Sequence, residues 1–182
     1  MATTTAGTRS ATIYQDDIIK SSSARVFLGL SRIGIGLYFL WAFLDKTFGL
    51  GFATESANSW INGGTPAQGY INGVAVNGPL GGFFELFANP FGDILFMAGL
   101  LGIGVALVSG AGLKIAAVSG ALLLLFMYLA QPPFAVDAAS NPILDSHVLE
   151  GFLVVIPALT LSGDTLGIGK WWGGIVGNGW LR

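Results

Sequence analysis

The chain has no cysteine and one histidine, His147. Without thiols it can hold no iron–sulfur cluster, attach no haem covalently and shuttle no disulfides. A single imidazole excludes haem ligation by two histidines of one subunit and leaves too few ligands for a closed structural zinc site. No resident haem, iron–sulfur cluster or structural metal is therefore expected. Any redox chemistry would need a diffusible carrier or a centre supplied by a partner. Charge is scarce as well: 10% of residues are charged and 53% hydrophobic, where an ordinary domain has about 25% charged. That composition cannot solvate a globular surface, and implies an integral membrane protein whose main contact is the lipid bilayer. Nothing in the sparse charge pattern suggests nucleic acid.

What is present is a set of long apolar runs. Residues 26–44 read as a first membrane-spanning helix, and residues 90–113, 115–130 and 142–161 as three more. The third is short and pairs with the second as a hairpin turning near residues 110–114. Pro157 lies inside the fourth, where it removes a hydrogen bond to the Leu153 carbonyl. Residues 1–25 are polar and include Asp16 and Asp17, so an uncleaved first span is expected. The expected fold is an all-α four-transmembrane-helix bundle. It comprises a polar cytoplasmic segment 1–25, a membrane domain 26–162 with a long outer loop 45–89, and a cytoplasmic tail 163–182.

Basic residues give the orientation. Arg9, Lys20 and Arg25 precede the first span, Lys114 lies in the second turn, and Lys170 and Arg182 follow the last. The other side holds Lys46 among Asp45, Glu55, Glu85, Asp93, Asp137 and Asp145. Both termini are thus expected in the cytoplasm, with Trp171, Trp172 and Trp180 as interfacial anchors. The loop 45–89 is too long for a plain connector, and its apolar stretch 80–88 implies short helices capping the outer side, with a lid as the alternative.

Asn89-Pro90-Phe91-Gly92-Asp93 and Asn141-Pro142-Ile143-Leu144-Asp145 share the pattern N-P-x-x-D at the outer ends of the second and fourth spans. Asn suits a helix cap, Pro the first turn, and Asp the positive helix end. Ala98, Gly102, Ala106 and Gly110 recur every four residues, as do Ala116/Gly120 and Ala117/Ala121. Such ladders let helix backbones approach closely, within the bundle or in a homo-oligomer.

The chemistry rests on charges inside the spans. Arg32 interrupts the first run, where a guanidinium near the helix centre costs about 2.5–3.5 kcal/mol unless partnered. His147 and Glu150 stand three residues apart on one helix face. Helical rise separates Arg32 and Glu150 by roughly 8 Å in depth, within reach of an arginine side chain. An Arg32–Glu150 pair is one reading, a structural clasp with His147 near the interface. In the other, His147 and Glu150 relay protons while Arg32 holds a ligand carbonyl; Tyr38, Trp41 and Tyr128 would flank its ring, with plain packing or interface roles as the alternative for these aromatics. A quinone headgroup fits that chemistry, needing a donor to each carbonyl and a route for protons. Asp45 and Lys46 read as an exposed ion pair at the outer end of the first span.

Several of these segments together resemble the DoxX/DoxD-like family of small four-helix membrane proteins. They are Arg32-Ile33-Gly34-Ile35-Gly36-Leu37-Tyr38-Phe39 with Lys46, the glycine-rich second span, Asn141 through His147, the loop Trp60 to Pro66 with Tyr70, and Leu166 to Trp172. The resemblance implies a place in the plasma membrane of a prokaryote and a link to quinone-coupled sulfur oxidation, since DoxD is the membrane subunit of thiosulfate:quinone oxidoreductases. It also implies a second subunit, to which nothing in this chain is similar. The leading expectation is a quinone-binding membrane subunit of an oxidoreductase assembly, with His147, Glu150 and Arg32 at the reaction and Arg32, His147, Trp41 and Tyr38 around the quinone. The alternatives are a non-catalytic scaffold of a larger membrane complex and a small-solute or proton carrier.

Overall fold

The computed structural model describes residues 11–73, 78–130, 141 and 143–182, and every regular element among them is a helix. Arg9, Asp137 and Pro142, which entered the orientation and span readings, lie outside the described residues. The elements are α1 (Gln15–Ile18), α2 (Ser22–Phe48), α3 (Pro66–Gly73), α4 (Gly81–Glu85), α5 (Pro90–Ser109), α6 (Leu113–Ala130), α7 (Ser146–Leu159) and α8 (Gly169–Val176).

Local chemistry sets the ends of the long helices. Ser21 Oγ accepts the Ala24 amide at the start of α2, and Gly49 closes it at φ 65°. Asn89 Oδ1 accepts the amides of Phe91 and Gly92 to start α5. Gly110 ends α5 at φ 80°, in the left-handed region where a glycine carries no strain. The hairpin from α5 to α6 falls where the glycine and lysine cluster placed it.

Helices α2, α5 and α6 are long and apolar enough to cross a membrane. Helix α7 has 14 residues, a length of about 21 Å against roughly 30 Å of hydrocarbon. It therefore falls short of a span by length, although it completes the packing. Contacts run from α2 to α5, α5 to α6, α6 to α7 and α7 back to α2. Ile35 and Phe39 of α2, Met97, Ile103 and Leu107 of α5, Leu124 of α6 and Val154 of α7 meet in the centre. Leu37, Ile94, Val105, Leu122 and Phe152 point outward and are exposed, as lipid contact requires.

The close approaches differ from the small-residue ladders expected along α5. A Cβ on Gly36 would lie 2.9 Å from Leu107 and Val108, one on Gly104 2.7 Å from Leu40, and one on Gly120 2.6 Å from Val154. Gly102 meets nothing within 4 Å, and Ala98 is exposed, so that half of the ladder faces away from the core. On α6 the pattern holds: Ala116 and Gly120 are buried.

The two N-P-x-x-D segments do different work. Asn89 caps α5 as its sequence suggests, but Asp93 is only 4% exposed and turns toward α3. Its Oδ1 accepts the amides of Ala67 (2.8 Å) and Gln68 (3.1 Å), and Oδ2 accepts the Gln68 side chain. A residue of α5 thereby caps α3 and pins the segment between α2 and α5 onto the bundle. In the second segment Asn141 Oδ1 accepts the amides of Ile143 and Leu144, forming a turn ahead of the helix. The cap of α7 is Asp145, so the helix begins at Ser146 and not at position 142.

Asp93→Ala should release α3 while leaving the α2–α5–α6 core folded. Each buried amide stripped of its acceptor costs about 1–3 kcal/mol. Hydrogen exchange should therefore accelerate in residues 66–73 and stay unchanged in residues 97–107; uniform acceleration would show that Asp93 supports the whole bundle instead.

Asp45 also departs from its sequence reading. It is 1% exposed and accepts the amides of Phe52 (3.2 Å) and Ala53 (3.0 Å), folding the chain back after α2. It is a buried cap and not half of an exposed ion pair with Lys46. The reason is the turn at Gly49, which brings two unpaired amides over the last turn of α2.

Candidate functional site

Helix α7 carries the chemistry. Its first turn is set by Asp145, whose Oδ1 accepts the Val148 amide at 3.1 Å. The other carboxylate oxygen lies 2.6 Å from His147 Nδ1. The imidazole is therefore fixed from two sides, by its helix and by its carboxylate, with only 14% of the side chain exposed. Nδ1 is committed to Asp145, which leaves Nε2 for a ligand or a proton. An aspartate two residues before the histidine is a signal the sequence carried, but there Asp145 read only as a complement to the positive helix end, with Asn141 as the cap.

His147 borders an apolar groove of about 250 Å³ between α6 and α7. Leu124, Leu125 and Tyr128 form the α6 wall, and Val148, Gly151 and Phe152 the α7 wall. Tyr128 donates its hydroxyl to the Ile143 carbonyl at 3.1 Å, which ties α6 to the approach to α7. Leu125 and Phe152 are exposed on the outward surface, so the groove opens on the side that would face lipid. Its chemistry suits a flat, largely apolar molecule with one polar end at the imidazole.

Glu150 does not line the groove. Its carboxyl interacts with the Tyr38 hydroxyl of α2 and lies in the fields of His147 and Asp145. The one-face arrangement expected for His147 and Glu150 resolves into two neighbouring directions, one toward α6 and one toward α2. The structure thus brings Asp145, His147, Glu150 and Tyr38 into one neighbourhood. Trp41 does not line the groove; it is half exposed, with its ring edge-on to Phe52 at 5.1 Å. No family model, curated protein or solved structure matches this chain. The site is read from its own chemistry.

Arg32 is not part of that neighbourhood, which corrects the expected pair with Glu150. The guanidinium is fully buried; among the described residues its terminal nitrogens bond only backbone carbonyls, and Nε has no partner. Nη1 donates to Leu107 and, at 2.9 Å, to Val108, in the last turn of α5. Nη2 donates to Thr165 at 3.3 Å and to Leu166 at 2.8 Å, beyond the end of α7. The carbonyls of a final helical turn lack intrahelical donors and carry the negative end of the helix dipole. They hold the terminal nitrogens of the cation where it stands, because the close fit of Gly36 brings α2 against them. Leu166 holds φ 55°, a left-handed conformation costing about 1–2 kcal/mol, and its carbonyl is one of the four acceptors.

Proposed function

We propose that this chain is the quinone-binding membrane subunit of an oxidoreductase assembly. The observation that carries the reading is the Asp145–His147 couple at the edge of an apolar groove open to lipid. A quinone enters such a groove from the bilayer and presents a carbonyl to Nε2 of His147. Reduction to the quinol takes two electrons and two protons. The electrons come from a donor on another subunit, since this chain has no cysteine and one histidine. The protons pass through His147, with Glu150 and Tyr38 as the neighbouring exchangeable groups.

In this reading α7 is the fourth membrane element, both termini lie in the cytoplasm of a prokaryote, and α3 and α4 cap the outer side. The resemblance to the DoxX/DoxD-like family supports it, and suggests a thiosulfate:quinone type of reaction with a second subunit. One observation favours the rival scaffold reading: both terminal nitrogens of Arg32 are engaged by backbone carbonyls, as in a structural role, and only Nε is left without a partner among the described residues.

The test is quinone content per chain, by mass spectrometry of a solvent extract of protein purified in mild detergent. Wild type should retain close to one quinone, and His147→Ala should lose it by about tenfold or more, the equivalent of one charged hydrogen bond. Quinone at the level of an unrelated membrane protein would leave the scaffold reading in its place.

A further inference from the structure

Helix α3 lies between two compartments of different character at the loop end of the molecule. On one side is an open basin of mixed polarity, about 870 Å³, whose polar border is Lys46, Glu55, Asn58, Asn62, Thr65 and Tyr70. On the other is an apolar cleft of about 140 Å³, lined by Ile71 of α3, Phe84 of α4, Phe96 of α5, and Leu123 and Phe126 of α6. Tyr70 borders both. The cleft has an outward mouth, where Leu95 and Phe126 are exposed on the surface that would meet acyl chains.

The basin holds two charges of opposite sign that do not pair. Lys46 is half-buried in the last turn of α2, and its ammonium makes no hydrogen bond or ion pair among the described residues. The carboxylate that acts on it is that of Asp45, whose two oxygens accept the amides of Phe52 and Ala53. Glu55 is exposed, and its carboxylate likewise accepts no hydrogen bond among the described residues. Asn62 donates its amide to the Ser56 carbonyl at 2.8 Å, which leaves its own oxygen free to accept.

We propose that these two compartments together form a binding site for one zwitterionic phospholipid of the ethanolamine type. The phosphate lies at the Lys46 ammonium, and the primary ammonium of the headgroup lies at the Glu55 carboxylate and the Asn62 oxygen. The upper part of one acyl chain passes the Tyr70 edge that the two compartments share and enters the apolar cleft beneath α3. An anionic lipid without an amine would satisfy Lys46 but bring negative charge to Glu55. A choline lipid has the right net charge, but its quaternary ammonium has no N–H to donate. The proposal stands independently of the quinone reading, which concerns the α6–α7 groove.

The experiment is native mass spectrometry of the full chain in mild detergent. The protein is offered equal amounts of phosphatidylethanolamine, phosphatidylglycerol and phosphatidylcholine. Wild type should retain one phosphatidylethanolamine in preference to the other two. Lys46→Gln should lower retention by about tenfold, the value of one charge-assisted contact, while Lys46→Arg keeps it. Glu55→Gln, an exposed change that leaves the fold intact, should keep a bound lipid but lose the preference over phosphatidylglycerol. Circular dichroism and gel filtration check that each variant is folded. Equal retention of all three lipids by wild type would overturn the proposal. So would unchanged retention in folded Lys46→Gln. Quinone measured in the same samples reports on the other site separately.

Discussion

Arg32→Ala should yield little folded protein, and what survives detergent extraction should melt far below wild type. Four carbonyls, those of Leu107, Val108, Thr165 and Leu166, lose their donor at once. Hydrogen bonds to a charged group contribute about 1.5–3 kcal/mol each, and unpaired buried acceptors add their own desolvation cost. The substitution also empties a fully buried volume between α2, the end of α5 and the segment after α7. Arg32→Lys keeps the charge but loses the planar fork, and so should fall between the two. Thermal unfolding followed by gel filtration ranks the three proteins. A folded Arg32→Ala protein of wild-type stability would return Arg32 to the list of ligand-binding groups.

A second large effect is expected where residues 13–15 meet Asp164 and residues 178–182. Asp164 and Arg182 form an ion pair at 3.0 Å with side chains 2% and 4% exposed. Asp164 also accepts the Gln15 amide at 2.8 Å. Arg182 donates to the Ile13 carbonyl and to Asn178 Oδ1, and lies 5.3 Å from the Tyr14 ring centroid. Its own carbonyl accepts the Leu113 amide at the start of α6. One pair therefore joins the N-terminal segment, the turn after α7, the C-terminal tail and α6. Removing one partner from a buried pair costs about 3–5 kcal/mol, because the other charge stays buried without compensation. Asp164→Ala and Arg182→Ala should each lower the melting temperature strongly. The double variant should cost clearly less than the two single losses added together. Additive losses would mean that the two charges act separately, through Gln15 and Ile13.

These two predictions concern residues whose partners the sequence could not name. The period and length of the apolar runs identified α2, α5 and α6, and Gly110 marked their turn. Asn89 was legible as a cap because its partners are the next two amides along the chain. His147 and Glu150 stood out because ionisable groups are rare in apolar runs. Asp145 was legible only as a charge at the positive helix end, although it caps α7 and its second oxygen orients the imidazole. Trp41 looked like a wall for a ring-shaped ligand, yet its neighbour is Phe52, brought there by the turn at Gly49.

The sequence alone determined that this is an apolar, helical chain with segments suited to lipid, because composition and periodicity act locally and leave a readable pattern. It also determined which few polar side chains must find partners. Only the tertiary structure decided what those partners are. For Arg32 they are backbone carbonyls at a helix end, which every residue possesses and no residue type announces. For Asp93 they are amides of another helix, and for Asp164 a guanidinium 18 positions away. Such choices depend on how closely the helices approach, and that distance is fixed by packing at Gly36, Gly104 and Gly120, where the facing helix meets the glycine backbone.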